Sequence, residues 1–251
     1  MNYKYYKHND SYYLDVGPMT DEEYFLLKPI VAYLGGHWRE KYRSFVFEDD
    51  IKEKFEDCLL NGFQISDDYK YKEKNQFYPT PKNIAKRVVE LAEIKDENTV
   101  LEPSAGRGGL LDQIDVRCNI IAVEPLDDNV KVLVEKGYEC VTTTFEDFYE
   151  HNKQKQFERI VMNPPFSEQR DIKHLLMAYE LLKEDGILTA IISENALYYR
   201  TDWSDNLNKF LKETDAYIEP IPTRSFKESG TAIETIIVKI KKLRKEEKYY
   251  V

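Results

Sequence analysis

The chain is poor in the residues that build covalent or metal frameworks. Its 251 residues include three cysteines and four histidines. Cys58, Cys118 and Cys140 are scattered and form no Cys-x-x-Cys pair, so reduced thiols are expected rather than disulfides or zinc. The histidines are equally dispersed, and no metal site is expected. No apolar run is long enough to span a bilayer and no leader pattern is recognised. The expected location is cytoplasmic, with no membrane partner. Positive charge is also short: 36 Lys and Arg stand against 46 Asp and Glu, a formal net charge of −10. That argues against binding driven by nonspecific phosphate contacts, though it leaves room for a local basic groove.

Aromatic residues, by contrast, are abundant, with 19 tyrosines and 12 phenylalanines. Most are expected in the core or as half-exposed tyrosines, and some as base-stacking surfaces. Hydrophobic content is 42%, enough for a sizeable core, and the length fits one α/β domain with a small extra one.

Residues 1–75 read as a small α+β module. It holds 11 Lys and Arg against 15 Asp and Glu, so it is not a basic arm. Thr20-Asp21-Glu22-Glu23 reads as a capped helix start. The helix is expected to resume after Pro29 and to end at Gly35-Gly36. Trp38 to Phe47 reads as a hairpin. A second helix follows Glu48-Asp49-Asp50, with Ile51, Phe55, Cys58 and Leu59 on one face. Trp38, Arg39, Lys41, Tyr42 and Arg43 are either a nucleic-acid contact or, for the aromatics Trp38 and Phe45, the module's own core. The polar stretch Asp67 to Gln76 reads as a boundary, and residues 76–251 as a second domain.

That second domain carries four chemical motifs. Thr80-Pro81 opens a helix, with Thr as cap and Pro in the first turn. The strand Thr99-Val100-Leu101-Glu102 runs into a glycine turn, Pro103-Ser104-Ala105-Gly106-Arg107-Gly108-Gly109, and then a helix. An acid ahead of a glycine turn suits a cation. Glu102 can hold an ammonium group, while Gly106 and Gly108 allow close backbone approach. This is not a phosphate-binding loop, since the Lys-Ser/Thr pair is absent. Glu124 ends the next strand, where an acid can accept both hydroxyls of a ribose. Pro125 and Leu126 could lie beside an adenine. Asp147 could accept from its amine, and Phe148 could flank its ring.

The fourth motif is Asn163-Pro164-Pro165-Phe166, at the end of the apolar run Arg159-Ile160-Val161-Met162. Two prolines stop the strand, because neither can donate to a ladder. The Asn163 amide oxygen and the Pro164 carbonyl could accept both hydrogens of one exocyclic amine. Phe166 could stack on the ring that bears it.

Together these motifs resemble the class I S-adenosylmethionine-dependent methyltransferases. Asn-Pro-Pro-Phe resembles their amino-methylating branch, in particular the N6-adenine DNA methyltransferases of phage and plasmid type. The resemblance covers roughly Phe77 to Lys242. It implies a Rossmann-like α/β fold with a seven-stranded, mostly parallel sheet, its last strand antiparallel. It implies S-adenosylmethionine as cofactor, held by Thr80, Glu102, Ser104, Gly106, Gly108, Glu124, Pro125, Asp147, Phe148 and Asn163. It implies catalysis by Asn163, Pro164, Pro165 and Phe166. The substrate it implies is DNA, with the target adenine flipped out or single-stranded. Phe226-Lys227-Glu228-Ser229-Gly230-Thr231 resembles a loop beside the target base in that branch, so Lys227, Ser229, Gly230 and Thr231 are candidate substrate contacts. The alternative for this loop is an ordinary turn.

Members with this motif order usually carry a large target-recognition domain after the catalytic strands; this sequence ends almost at once after them, so none is expected here. Sequence specificity is then expected from the N-terminal module, from the loop Asn195 to Trp203 or from a partner, or it is absent. Rival readings are an RNA exocyclic-amine methyltransferase, a protein-glutamine methyltransferase and a non-catalytic regulatory protein that binds cofactor or nucleic acid.

Overall fold

Short tyrosine-rich strands before residue 62 and continuous apolar runs after residue 98 produce two different kinds of sheet. A computed structural model describes residues 3–39, 42–62, 79–199, 201–222, 225–226 and 233–244. The chain divides into two compact units, one within Met1–Tyr78 with Phe226–Ile233, the other within Pro79–Ser225 with Glu234–Val251.

The first unit contains β1 (Lys4–His8), β2 (Ser11–Asp15), α1 (Asp21–Tyr33), β3 (His37–Arg39), β4 (Ser44–Phe47) and α2 (Lys52–Asn61). Its four strands pair antiparallel in the order β1-β2-β4-β3. The Trp38 to Phe47 hairpin is present as β3 and β4, but the first hairpin, β1–β2, is an addition to the sequence reading. α1 opens with the reciprocal cap read from its sequence. Thr20 N donates to Glu23 Oε2 at 2.9 Å, and Glu23 N donates to Thr20 Oγ1 at 3.2 Å. The expected interruption at Pro29 does not occur, and α1 runs through it. Leu27, Ile30 and Val31 bury against Leu14, Phe45, Phe47 and Phe55 across that stretch, and this burial outweighs the one helical hydrogen bond a proline removes. Phe45 is buried in this core, whereas Trp38 packs edge-on to it at 5.1 Å and stays half-exposed.

The second unit contains α3 (Lys82–Ala92), β5 (Thr99–Glu102), β6 (Asn119–Val123), α4 (Asp127–Glu135), β7 (Cys140–Val141), α5 (Phe145–Asn152) and β8 (Phe157–Met162). There follow α6 (Arg170–Glu180), β9 (Leu182–Ser193), α7 (Asp202–Glu213), β10 (Tyr217–Pro220) and β11 (Thr235–Lys241). Seven strands lie in the order β10-β11-β9-β8-β5-β6-β7. β5 to β9 are mutually parallel, and β11 runs antiparallel to both β9 and β10. Val100, Leu101, Ile160, Val161, Leu188, Ala190 and Ile192 are fully buried, as central parallel strands covered on both faces require. This is the Rossmann-like methyltransferase sheet.

One local expectation fails here. The glycine turn is followed not by a helix but by a single 3-10 turn, Leu111–Gln113. Leu110 and Leu111 are already buried at that point, and the chain turns extended at Ile114 to reach β6.

The topology fixes where a site can form. From β5 the chain winds outward to β6 and β7, then returns to lay β8 on the other side of β5. Strand order reverses between β5 and β8, and a crevice opens at their carboxyl ends. Glu102 ends β5 and Asn163 follows the end of β8. Among the described residues no helix is long and apolar enough to cross a membrane, and no cluster of His, Cys, Asp and Glu could hold a metal ion.

Candidate active site

Asn163 is held from one side only. Its Nδ2 donates to Thr80 Oγ1 at 2.9 Å, while its Oδ1 is buried with no hydrogen-bond partner among the described residues. A buried acceptor without a donor is costly, so this oxygen is positioned for a donor from outside the chain. Pro164 is buried, and Pro165 and Phe166 are half-buried.

Thr80 does not cap α3 as its sequence suggests. The boundary residue is Pro81, which makes no side-chain cap, and the helix begins at Lys82. The Thr80 hydroxyl is taken by Asn163 instead. Thr80 also adjoins the glycine turn, since a Cβ at Gly109 would sit 3.9 Å from its carbonyl oxygen.

The glycine turn is tied to both neighbouring strands. Ala105 N donates to Val123 O at 3.0 Å, and Gly106 N donates to Glu124 Oε2 at 2.8 Å. Gly106 and Gly108 have φ of +54° and +82°, a region open to glycine at little cost. At Gly108 the missing Cβ also has an internal explanation: it would lie 3.1 Å from Leu133 Cδ2 and 3.3 Å from Tyr138 Cε2. Ser104 is half-buried beside them.

Glu102 and Glu124 are both buried carboxylates. Glu102 Oε2 has no hydrogen-bond partner among the described residues. Burial, then the nearby Glu124 and Asp112, hold its pKa well above the usual carboxylate range. Glu124 is better satisfied. It accepts from Gly106 N, from Leu126 N at 3.0 Å and from Asn129 Nδ2 at 3.2 Å. Burial still raises its pKa against those three donors. Three donors leave little acceptor capacity, so a ribose at this acid would have to share it.

The sequence reading missed the groups that brace this pair. Asn129 is fully buried and bridges Glu124 to Arg107, whose Nε donates to Asn129 Oδ1 at 3.1 Å. Lys136 Nζ donates to the Arg107 carbonyl at 2.7 Å and to Asp112 Oδ2 at 2.6 Å. An asparagine in the first turn of a helix five residues past an acid was the available signal.

The remaining candidates are placed differently. Pro125 is exposed and Leu126 half-buried. Asp147 is exposed and forms a reciprocal cap with Thr144, whose Oγ1 donates to Asp147 Oδ2 at 2.9 Å. Phe148 is 2% exposed and belongs to the hydrophobic core. Its ring therefore packs inward rather than presenting a face to a ligand. His174, which the sequence suggests as a surface or capping residue of the helix opened by Asp171-Ile172-Lys173-His174, is buried with Nε2 3.0 Å from Glu146 Oε1, and burial lowers its pKa. Asp171 is buried and accepts from Ser193 N at 3.0 Å and Ile172 N at 3.1 Å, which joins the start of α6 to the end of β9. Burial raises its pKa to about 6. Lys227, Ser229, Gly230 and Thr231 lie outside the described residues.

Thr80, Glu102, Gly106, Gly108, Glu124 and Asn163 thus gather around the crevice at the β5/β8 reversal. This fold and set of buried acceptors resemble those of the S-adenosylmethionine-dependent methyltransferases. Residues 98–219 match the family model of the methyltransferase small domain. S-adenosylmethionine is the cofactor. The residues fit it, since Glu102 Oε2 and Asn163 Oδ1 are buried acceptors without partners among the described residues.

Solved structures share the fold. One is a modification subunit of a candidate type I restriction enzyme from Vibrio vulnificus, at TM-score 0.54 and 14% identity, covering 80% of this chain and 54% of that one. Another is a candidate class I S-adenosylmethionine-dependent methyltransferase from Listeria monocytogenes, at TM-score 0.52 and 16% identity, covering 78% and 68%. A third belongs to a type I restriction–modification assembly, at TM-score 0.55 and 16% identity, covering 76% and 46%. The chain therefore spans about half the length of the first of these. No curated protein matches it.

Proposed function

We propose that this chain transfers the methyl group of S-adenosylmethionine to the N6 exocyclic amine of adenine in DNA. The observation that carries the reading is the divided Asn163 amide. Its Nδ2 is fixed by Thr80 and its Oδ1 is buried and unpartnered among the described residues. An exocyclic amine is a poor nucleophile because its lone pair is delocalised into the ring. Asn163 Oδ1 and the Pro164 carbonyl accept its two N–H bonds and draw the lone pair out of conjugation. Phe166 stacks on the base and holds it in plane, worth about 1–3 kcal/mol.

S-adenosylmethionine supplies an electrophilic methyl group on a sulfonium. Glu102 holds the ammonium end, Glu124 takes the ribose, and the glycine turn from Ser104 to Gly108 lies along the methionine part, with Thr80 beside it. Asp147 and Pro125 lie at the adenine end. Catalysis then rests on orientation and on acceptors aimed at developing positive charge on the amine. A base inside a duplex is out of reach, so the target is flipped out or already single-stranded. Lys227, Ser229, Gly230 and Thr231 are included as contacts to it, and a partner that supplies sequence specificity belongs to the same proposal.

The test is transfer of a labelled methyl group into DNA, RNA and protein pools. Label in DNA supports the reading. Label in RNA alone or in glutamine alone overturns the substrate and leaves the chemistry of the amine.

A further inference from the structure

Among the described residues of the second unit, three of the four large exposed aromatic rings fall close together in sequence, the fourth being Tyr217 on β10. Tyr198 is 70% exposed, Tyr199 43% and Trp203 42%. All three fall in the short segment that leaves β9 and enters α7. This segment is well anchored. Tyr198 N donates to Asn195 O at 2.9 Å and Asn208 Nδ2 to Leu197 O at 2.8 Å. The buried Ser204 donates to Ala196 O at 2.6 Å. Three exposed rings on a braced loop cost the protein apolar exposure without gaining core, which marks a contact surface.

The loop is continuous with the candidate active site. β8 and β9 are parallel neighbours with Met162 opposite Ala190, so both leave the sheet at the same edge. Thr201 Oγ1 donates to Gln169 Oε1 at 2.7 Å, which ties the loop to the turn just after Phe166. Glu168 and Gln169 in that turn both have φ of +56°, so a strained backbone is held there. Lys173 Nζ stands 5.6 Å from the centre of the Trp203 ring. Arg170 lies near Glu168, at 3.8 Å.

We propose that Tyr198, Tyr199 and Trp203 form a ledge on which the nucleotides flanking the target base stack, with Lys173 against a neighbouring phosphate. The inference rests on the adenine-methylation reading and extends it to the rest of the strand. Stacking suits a chain of net charge −10, because every base has a π-face and little phosphate contact is needed. Glu168, Asp202 and Asp205 stand close in sequence to Lys173 and Trp203. The salt dependence of binding is therefore that of about one phosphate contact.

The test uses the full chain and single-stranded oligonucleotides. Trp38→Phe leaves Trp203 as the one tryptophan, and its fluorescence is followed on titration. Stacking quenches it. Tyr198→Ala and Tyr199→Ala, both at exposed positions, raise KM for oligonucleotide about 5- to 150-fold and leave cofactor Kd unchanged. Methyl transfer to oligonucleotides with KM unchanged in both tyrosine variants overturns the ledge and leaves the enzyme reading intact. Quenching without transfer to any nucleic acid keeps the ledge and overturns the enzyme reading. Transfer only to a protein acceptor, weakened by the tyrosine substitutions, overturns the nucleic-acid assignment of the ledge.

Discussion

Asn163 Nδ2 donates to Thr80 Oγ1 at 2.9 Å, and this bond decides which edge of the amide faces the crevice. A residue from the start of α3 thus orients the group at the end of β8. Thr80→Val removes the acceptor and lets the amide turn. The expected result is a fall in kcat of about five- to tenfold, the scale of one net hydrogen bond. Thr80→Ser keeps the hydroxyl and retains activity. Steady-state kinetics with KM for cofactor determined separately checks this.

Glu102 predicts a proton count. Its pKa is raised well above the ordinary range by burial, so the free protein keeps it protonated to a higher pH than an ordinary carboxylate. A cationic ammonium favours the ionised form, so cofactor binding releases a proton, and affinity rises with pH until Glu102 is ionised in the free protein. Calorimetric titration in two buffers of different ionisation enthalpy measures the release. The stability sign is the opposite. The folded state binds more protons than the unfolded, so stability falls as pH rises from about 4 through the raised pKa. Glu102→Gln removes that fall, and its advantage in thermal stability grows with pH. The same variant binds cofactor about 10- to 100-fold more weakly.

Gly108→Ala should destabilise the unit without touching any acceptor. The position has φ of +82°, and a Cβ there meets Leu133 and Tyr138 at 3.1 and 3.3 Å. The expected cost is about 1–3 kcal/mol, and the thermal midpoint falls by roughly 2–4 °C for each kcal/mol. Thermal denaturation monitored by circular dichroism reads it. An unchanged midpoint would show that the turn relaxes.

The parts legible in sequence are those whose physics is local. β-branched and aliphatic runs ending in an acid or in consecutive prolines gave β5, β6 and β8 and the groups at their tips. The reciprocal cap of Thr20 and Glu23 was equally readable. What escaped depends on partners far along the chain. β1 and β2 alternate Tyr, Lys and Ser rather than aliphatic residues, and become strands by pairing with each other and with β4. Thr80 looked like a cap because nothing in its neighbourhood announces Asn163. His174 looked like a surface or capping residue of a helix start, yet α5 packs over it, and Asp171 in the same turn is tied to the end of β9. Phe148 followed an acid that resembles an adenine contact, but its place in the 3.6-residue period of α5 turns it to the core.

The most direct test compares wild-type protein with Asn163→Ala, by mass spectrometry of nucleosides from DNA incubated with S-adenosylmethionine. The account predicts N6-methyldeoxyadenosine from the wild type. It predicts a loss of at least about a hundredfold in the variant, with cofactor affinity retained, as for removal of an acceptor aimed at the reacting group. Near-normal N6-methyldeoxyadenosine from Asn163→Ala would contradict the role assigned to the divided amide.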